Sequence, residues 1–332
     1  MSERRKKRKL KTPVKIVLFL LLLLMMLSCV YIILKSLPQD SGPEYGSIQE
    51  VEIIEPEGQQ GNDYSMENET FIFKILNVGQ AQSIFVDYGN MEVLIDGGYY
   101  ETRDKVLKGI EKYITDGKIE YVIATHSHSD HIGGLPKVYD TYKVGKTIYG
   151  DLLSEEESLN YFKEAASSKS DVFEEDTNTV IDLGKNASIT IYDIVDGNKE
   201  NINNNSIATL IQYGDTNFFA SGDLEEEGEV LLRGKLPQCD VVVAGHHGAS
   251  NANTLLDELK PKYFVISAGK NNDYGHPHEE VLAKALLFNS KIYGTFRSGS
   301  LTFKSDGMSV TCDADSDEQL TIKDAGAKEK RD

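Results

Sequence analysis

A run of metal-binding side chains directly after one apolar segment is the feature that most restricts how this chain can fold. The apolar residues 121–125 are typical of a strand buried on both faces, and the chain continues as Thr125-His126-Ser127-His128-Ser129-Asp130-His131. Residues two apart in extended backbone face the same side, so His126 and His128 can share one metal ion. Asp130 and His131 lie on the turn beyond and can reach a second ion. The sequence therefore predicts a metal centre, rather than a polar turn with incidental histidines.

The remaining histidines occur in two pairs. His246 lies beside His247, and His276 is separated from His278 only by Pro277. Each pair follows a predicted strand, at residues 240–244 and 263–267. Loops at the carboxyl ends of strands are where α/β proteins form their sites. We therefore expect the three histidine groups to meet in one place.

Strand-length and helix-length segments alternate between residues 71 and 312. This order is typical of a layered α/β protein in which helices cover sheets. A hydrophobic content of 40% is sufficient for the core of a single domain over this range. Three cysteines without close spacing exclude a disulfide scaffold and a cysteine zinc finger.

Charge divides the chain into a basic head and an acidic body. Residues 1–35 contain nine basic residues and one acid, whereas residues 36–332 contain 26 basic and 52 acidic residues. Residues 16–34 carry no charge and would span about 28 Å as a helix, close to the thickness of a bilayer's hydrocarbon core. The flanking cations would keep the N-terminus in the cytoplasm. An acidic body also argues against a protein that coats nucleic acid through a basic surface.

These charges predict five segments. They are a basic cytoplasmic head (1–15), a transmembrane signal anchor (16–34), a flexible acidic linker (35–70), a folded domain (71–312) and a charged tail (313–332). The protein would be a single-pass protein of the cell membrane with its folded domain extracellular. A cleaved signal peptide would have a shorter apolar core and a small-residue exit. Lipidation at Cys29 is an alternative that also leaves the body tethered to the membrane.

Several short motifs occur in an order that resembles a known family. After the first strand comes Asn77-Val78-Gly79-Gln80, followed by Asp96-Gly97-Gly98, the histidine run, Ser221-Gly222-Asp223, His246-His247-Gly248 and Tyr274-Gly275-His276-Pro277-His278. The series resembles metallo-β-lactamase-fold hydrolases, and among them the extracellular hydrolase domain of ComEC-like competence proteins. The resemblance covers about residues 71–310. It implies an αββα sandwich.

The resemblance also implies roles for individual residues. Asp223 would be the carboxylate that bridges two divalent metal ions, although a helix N-cap is an ordinary alternative. Either His246 or His247 would complete the second metal site with Asp130 and His131, and the other would serve catalysis or the substrate. Asp96 would brace the histidine loop, unless it only ends a strand. Ser206, His276 and His278 would contact substrate, while a helix cap before residue 279 is the simpler reading of the last two.

Two departures from the family's pattern affect the expected chemistry. No histidine occurs between His131 and His246, and the matching stretch reads Asn203-Asn204-Asn205-Ser206. The first metal would then be held by His126, His128 and Asp223 with water, helped by Ser206 or Asn205. A first metal site without a third histidine disfavours a lactamase or a glyoxalase. Ala81-Gln82 replaces the Gly-Asp usual in the family, a change expected to affect substrate contacts rather than the metals.

The expected activity is metal-assisted hydrolysis of a phosphodiester. A ligand set of nitrogen and oxygen fits zinc or manganese, and iron is also compatible. The substrate would be anionic, either DNA or a cell-envelope polymer such as teichoic acid. Two alternatives remain open: a hydrolase of another ester class, and a non-catalytic binding or sensing module that retains the fold. No protein partner is predicted.

Overall fold

The computed structural model of the chain describes residues 52–54, 70–150, 152, 154, 156–174, 179–194 and 201–327. All of these residues fall within one structural unit, residues 49–332. The predicted head, the predicted membrane anchor with Cys29, and most of the predicted linker lie outside the described residues. Within the described ranges, no helix is both long enough and apolar enough to cross a membrane.

Two sheets, each with eight strands among the described residues, form the centre of the fold. In neighbour order, the first sheet contains β16 (Val310–Cys312), β15 (Leu301–Ser305), β2 (Phe71–Ile75), β3 (Ile84–Tyr88), β4 (Met91–Ile95), β5 (Lys118–Ala124), β6 (Lys143–Tyr149) and β7 (Asp171–Glu174). The second contains β1 (Glu52–Ile54), β8 (Thr179–Gly184), β9 (Ala187–Tyr192), β10 (Ala208–Tyr213), β11 (Thr216–Ala220), β12 (Val241–Val243), β13 (Tyr263–Ile266) and β14 (Lys291–Gly294).

Helices cover the outer face of each sheet. They are α1 (Arg103–Ile110), α2 (Ser129–Ile132), α3 (Leu135–Thr141), α4 (Glu157–Lys169), α5 (Glu226–Val230), α6 (Leu256–Leu259), α7 (Glu279–Leu287) and α8 (Thr295–Ser298). Short 3-10 turns occur at Tyr100–Thr102, Asn203–Asn205, Gly245–Gly248, Ser316–Glu318 and Ile322–Asp324. The α/β class predicted from the sequence is therefore confirmed.

Three apolar clusters separate the layers. The largest lies between the two sheets, where the Phe73 ring of β2 packs 4.9 Å from the Phe218 ring of β11. A second cluster joins the outer face of the first sheet to α1, α3 and α4. A third joins the outer face of the second sheet to α6 and α7. The layers therefore follow the order helix, sheet, sheet, helix, as expected for an αββα sandwich.

Parallel pairing brings several strand ends to one edge of the fold. In the first sheet β4, β5, β6 and β7 run parallel, and in the second β11, β12, β13 and β14 do so. Their carboxyl ends lead directly into the segments that begin at Asp96, Thr125, Ser221 and Ala244. Chemically active side chains from both sheets therefore converge on the same edge.

Both segments flanking the predicted domain differ from the expectation. Glu52–Ile54, within the predicted linker, forms β1 and pairs in parallel with β8. The start of the predicted tail packs on the second sheet, since Leu320 is buried and its N–H donates to the carbonyl of Ile292. Asp324 forms an ion pair with Arg297. A high charge content in residues 313–327 concealed these few anchoring residues, so this part of the chain is not a free tail.

One carboxyl pair predicts a pH-dependent stability. Glu92 of β4 lies beside Glu120 of β5, and burial together with that neighbour raises the pKa of Glu92 to about 9. A carboxyl group with a raised folded-state pKa stabilises the fold below its unfolded-state pKa, and this contribution is lost as pH rises toward 9. We expect Glu92→Gln to raise the free energy of unfolding by about 1–3 kcal/mol at pH 8 and hardly at pH 4.

Urea unfolding at the two pH values checks this expectation. Glu280→Gln, at an exposed position of α7, is the matched control. Equal effects of Glu92→Gln at pH 4 and pH 8 would contradict the assignment.

Candidate metal centre

The carboxylate of Asp96 connects several segments of the site through hydrogen bonds. Asp96 follows β4 with a left-handed backbone (φ 60°) and is fully buried. Its carboxylate accepts hydrogen bonds from the backbone N–H of Thr125 (2.8 Å), the Thr125 hydroxyl (2.9 Å), the Gln82 amide (2.9 Å) and Nδ1 of His131 (2.7 Å). Because a carboxylate only accepts, Nδ1 of His131 carries a proton, so Nε2 is the nitrogen that could bind a metal ion. The structure thus places Asp96 where the bracing role was expected.

The histidine run follows β5 directly, and its backbone is extended at His128 as predicted. His128 has extended backbone (φ −68°, ψ 146°), and α2 begins directly after it. Nε2 of His126 lies 3.0 Å from Nδ1 of His128. The His126 and His131 rings lie 4.1 Å apart between centroids, and both side chains are fully buried. Three imidazoles therefore point into one small space.

Asp223 comes to the histidine run from the other sheet. It follows β11 after Gly222, where an added Cβ would meet the Thr125 side chain at 2.9 Å. Gly222 also has φ of 57°, so glycine is needed here for both reasons. The Asp223 carboxylate lies 3.2 Å from Nε2 of His131, 3.6 Å from Nε2 of His247 and 3.8 Å from Nε2 of His126.

The turn after β12 separates the two adjacent histidines. His246 and His247 both have left-handed backbone, with φ of 47° and 55°. Nδ1 of His247 donates to the Ser267 carbonyl (2.8 Å), and its Nε2 lies 3.1 Å from Asp130. His246 lies at the more exposed side of the site, called its mouth, since its side chain is 23% exposed against 4% for His247. Its Nε2 lies 3.8 Å from Asp223 and its Nδ1 lies 3.7 Å from Glu225. The structure therefore brings His247, and not His246, together with Asp130.

Two sets of side chains could each hold a metal ion. The first ligand group consists of His126, His128 and Asp223, and the second of Asp130, His131, Asp223 and His247. Within each group the ligand atoms all lie within 4.8 Å of one another. Asp223 belongs to both groups. This is the arrangement of a carboxylate shared between two closely spaced cations.

Unpaired polar atoms within these groups fit a bound cation. Nε2 of His131 and Oδ1 of Asp223 lie 3.2 Å apart and are buried, and among the described residues neither atom has an aligned hydrogen-bond partner. Leaving such atoms unpaired is costly. An imidazole nitrogen and a carboxylate oxygen are both ligands that zinc and manganese accept. The donor set therefore fits divalent metal ions.

Electrostatic coupling keeps the acids of the second ligand group ionised. Burial opposes charge on all of them, but His131 and His247 lower the pKa of Asp130 to about 2 and hold the pKa of Asp223 well below its ordinary value. Burial likewise opposes charge on His131, yet the carboxylates, Asp223 first, raise its pKa well above the usual range. The carboxylates and imidazoles of this group thus stabilise charge on one another, and a divalent cation would replace the imidazole protons in that role.

The residues predicted to bind substrate differ in their distance from the ligand groups and in their contacts. His276 is close to the site, with its ring 5.7 Å from the His246 ring and 6.4 Å from the His247 ring. His278 is instead bound through Nδ1 to the backbone and hydroxyl of Ser250.

Ser206 is fully buried, and its hydroxyl accepts the backbone N–H of Asp223 at 3.1 Å. The predicted contact of Ser206 with substrate stays a prediction, and its hydroxyl is in addition a partner of the backbone that carries the shared carboxylate.

Some residues with roles in the site were missed or misjudged from sequence. Gln82, expected to affect substrate contacts, is buried and donates to Asp96. Glu225 accepts the side-chain amides of Asn201 (3.1 Å) and Asn203 (2.9 Å) and faces His246. The asparagine-rich stretch was the signal available in the sequence. None of these contacts is local in sequence.

The separation of the two adjacent histidines gives a direct prediction. We expect His247→Gln to lose one of two bound metal ions, because His247 is a member of the second ligand group. His246→Gln is the matched control and should retain both ions, since no ligand group includes His246. Metal content per chain, measured by inductively coupled plasma mass spectrometry after equilibrium dialysis, distinguishes the two variants. Loss of metal in the His246 variant alone would reverse the assignment.

Comparison with known proteins gives a consistent result. The sequence profile described as the metallo-beta-lactamase superfamily matches residues 76–270, a range that contains both ligand groups. Among solved structures, the metallo-beta-lactamase fold protein YhfI from Bacillus subtilis aligns with a TM-score of 0.50 at 14% identity. That alignment covers 70% of this chain and 100% of YhfI, and it shows a shared fold.

Two curated relatives are much longer than the aligned region. The chain is 26% identical over 257 residues to ComE operon protein 3 of Bacillus subtilis, which covers 69% of this chain and 32% of that protein. It is 30% identical over 101 residues to Recombination protein 2 of Haemophilus influenzae, which covers 30% of this chain and 13% of that protein. The chain therefore spans about a third or less of the length of these relatives.

Proposed function

Since the chain belongs to the metallo-beta-lactamase superfamily, we propose that it is a metal-dependent hydrolase of phosphodiesters. The observation that carries this proposal is the membership of Asp223 in both ligand groups. A carboxylate shared in this way suits a pair of divalent cations, zinc or manganese. When bound, such a pair supplies an activated water and neutralises charge on a phosphoryl group.

The chain's own residues prepare the site in three ways. Asp96 fixes the tautomer of His131, and the Ser267 carbonyl fixes that of His247, so that Nε2 of each ring faces the carboxylates. Asp130 and Asp223 are held ionised. Such support from the surrounding residues keeps ligand side chains in place without reorganisation.

Residues at the mouth are suited to bind the phosphoryl group. The imidazoles of His246 and His276 lie outside both ligand groups and 5.7 Å apart, so each can meet a substrate oxygen. Burial, followed by the charges of His247 and His246, lowers the pKa of His276 to about 4, so its ring is neutral at pH 7. The carboxylate oxygen of Asp130 that is not used as a ligand atom would accept a hydrogen bond from the attacking water.

The substrate we propose is DNA or a phosphodiester of the cell envelope. The names of the two curated relatives, a ComE operon protein and a recombination protein, favour DNA. The formal net charge of −18 disfavours a long polyanion and favours a local anionic group. An envelope polymer such as teichoic acid therefore remains the second substrate class.

The experiment that tests this function uses the full chain. Hydrolysis of bis(p-nitrophenyl) phosphate, plasmid DNA, a polyglycerol phosphate and a β-lactam is measured with Mn²⁺ or Zn²⁺ and after chelation. We expect metal-dependent cleavage of at least one phosphodiester and no cleavage of the lactam. Full metal content without phosphodiester hydrolysis would instead favour a binding or sensing module, for which the three-membered first ligand group gives some support.

We also propose that residues 16–34 anchor the protein in the cell membrane with the catalytic domain outside. The support is the uncharged apolar run and the cations before it. Protease added to intact cells should then remove the domain. Full protection from protease in intact cells, with cleavage after lysis, would overturn the orientation.

A further inference from the structure

The turn that carries His246 and His247 has a backbone conformation that needs support from its surroundings. Both histidines have positive φ angles, 47° and 55°. Residues other than glycine rarely adopt this conformation, and it persists only where neighbouring contacts hold it. A turn that relaxed would carry the two imidazoles in other directions. The approach of His247 to Asp130 therefore depends on the contacts that hold this turn.

The side chain of Asn253 bridges the two ends of the turn. Its Oδ1 accepts the Gly245 N–H (2.9 Å), and its Nδ2 donates to the carbonyls of Gly245 (3.3 Å) and Ala249 (3.1 Å). Because an N–H only donates and a carbonyl only accepts, these contacts also fix the orientation of the amide. Gly245 directly precedes the two histidines, and Ala249 follows them after one glycine. One side chain thus connects the entry and the exit of the strained segment.

Asn253 is itself held by residues outside the turn. The buried carboxylate of Glu229 accepts the backbone N–H and the hydroxyl (2.8 Å) of Thr254, the residue after Asn253. The Lys284 ammonium donates to the Asn253 carbonyl (3.3 Å). Asn253 is only 5% exposed, and its φ of 67° is a conformation that asparagine tolerates better than most residues. The bridging amide is therefore fixed before any metal ion binds.

The turn supplies a member of only one ligand group. His247 belongs to the second group, whereas His126, His128 and Asp223 of the first group lie on other segments. Asp223, which both groups share, has its own backbone contact with the Ser206 hydroxyl (3.1 Å). A change at Asn253 should therefore affect the two ions unequally.

We propose that Asn253 is a positioning residue for the second metal ion, because its side-chain amide holds the turn in which Nε2 of His247 faces Asp130. This inference rests on the metal centre of the function proposed above and adds a residue that binds neither ion. Replacement of residues that orient metal ligands commonly lowers metal affinity about 10- to 100-fold. We expect an effect of this size on the second ion and none on the first.

Two variants remove the amide in different ways. Asn253→Gly allows the positive φ without strain and removes all three hydrogen bonds. Asn253→Asp keeps the size and the acceptor for the Gly245 N–H, but it turns a second oxygen toward two carbonyls. Competition with a fluorescent chelator gives the two stepwise Kd values for Zn²⁺ on the full chain. Both variants should bind the second ion about 10- to 100-fold more weakly than the wild type and the first ion equally well.

A double-mutant cycle with His247→Gln separates positioning from general damage to the fold. If Asn253 acts through His247, Asn253→Gly should not change the Kd of the one ion that His247→Gln is expected to retain. Ser290→Ala is the matched control, since Ser290 is also buried, donates to the Pro261 carbonyl (2.6 Å) and precedes β14 at the opposite edge. It should lower the free energy of unfolding in urea without changing either Kd.

Unchanged Kd values in both Asn253 variants, with two ions bound to the wild type, would overturn the positioning role and leave the proposed function standing. Weaker binding of both ions, or an equal effect of Asn253→Gly in the His247→Gln background, would also overturn the role, because the amide would then only support the fold. Failure of the wild type to bind metal would overturn both the role and the proposed function.

Discussion

Asp223→Asn is expected to reduce kcat/KM for a phosphodiester by about three orders of magnitude. This loss is equivalent to roughly 4 kcal/mol of transition-state stabilisation. The reason is that Asp223 is the one carboxylate common to both ligand groups. An amide removes the negative charge that two cations would share. Bound metal should fall from two ions per chain to one or none.

The measurement combines metal content with initial rates on bis(p-nitrophenyl) phosphate. Asp215→Asn is the matched control, since Asp215 is exposed on the turn after β10 and belongs to neither ligand group. Retention of both ions and of activity in Asp223→Asn would show that the shared carboxylate does not organise the centre.

Asp96→Asn is expected to weaken metal binding about 10- to 100-fold although Asp96 is itself a member of neither ligand group. Asp96 accepts four hydrogen bonds, and an asparagine amide would turn a donor toward donors at Gln82 or His131. His131 would then lose the bond that fixes its tautomer. Because the group is fully buried, the free energy of unfolding should also fall by about 2–4 kcal/mol.

Metal affinity by competition with a fluorescent chelator, together with urea unfolding of the metal-free chain, checks both parts. The conservative change at the neighbouring donor, Thr125→Ser, keeps a hydroxyl and should retain most of the affinity. Unchanged affinity in Asp96→Asn would mean that the histidine loop holds its shape without Asp96.

The residues that sequence alone could identify are those whose geometry is local. His126 and His128 share a direction because extended backbone alternates, and Asp130 and His131 follow on the first turn. The buried strand before them has a recognisable apolar run. These local patterns were sufficient to predict a layered α/β fold and a metal centre at a strand end.

Contacts between distant segments could not be predicted in the same way. The choice between His246 and His247 depends on two consecutive left-handed residues and on the Ser267 carbonyl, neither of which the turn sequence specifies. Likewise, nothing local indicates that the Ser206 hydroxyl accepts the Asp223 N–H. Tertiary contacts decided both cases.

Mixed composition concealed other parts of the fold. β6 contains two lysines and Gly145, so it lacks a clear apolar pattern. Gly145 is required there because an added Cβ would meet the Glu120 carbonyl of β5 at 2.7 Å. The charged residues 313–327 likewise concealed Leu320, which is buried against α7 and the second sheet.

The most direct test of a two-ion phosphodiesterase is a titration of the metal-free full chain with Mn²⁺ or Zn²⁺, with bound ions and bis(p-nitrophenyl) phosphate hydrolysis measured in parallel. We predict saturation at two ions per chain, with hydrolysis appearing as the second ion binds. Saturation at a single ion, or two bound ions with no hydrolysis of any phosphodiester tested, would contradict the proposed function.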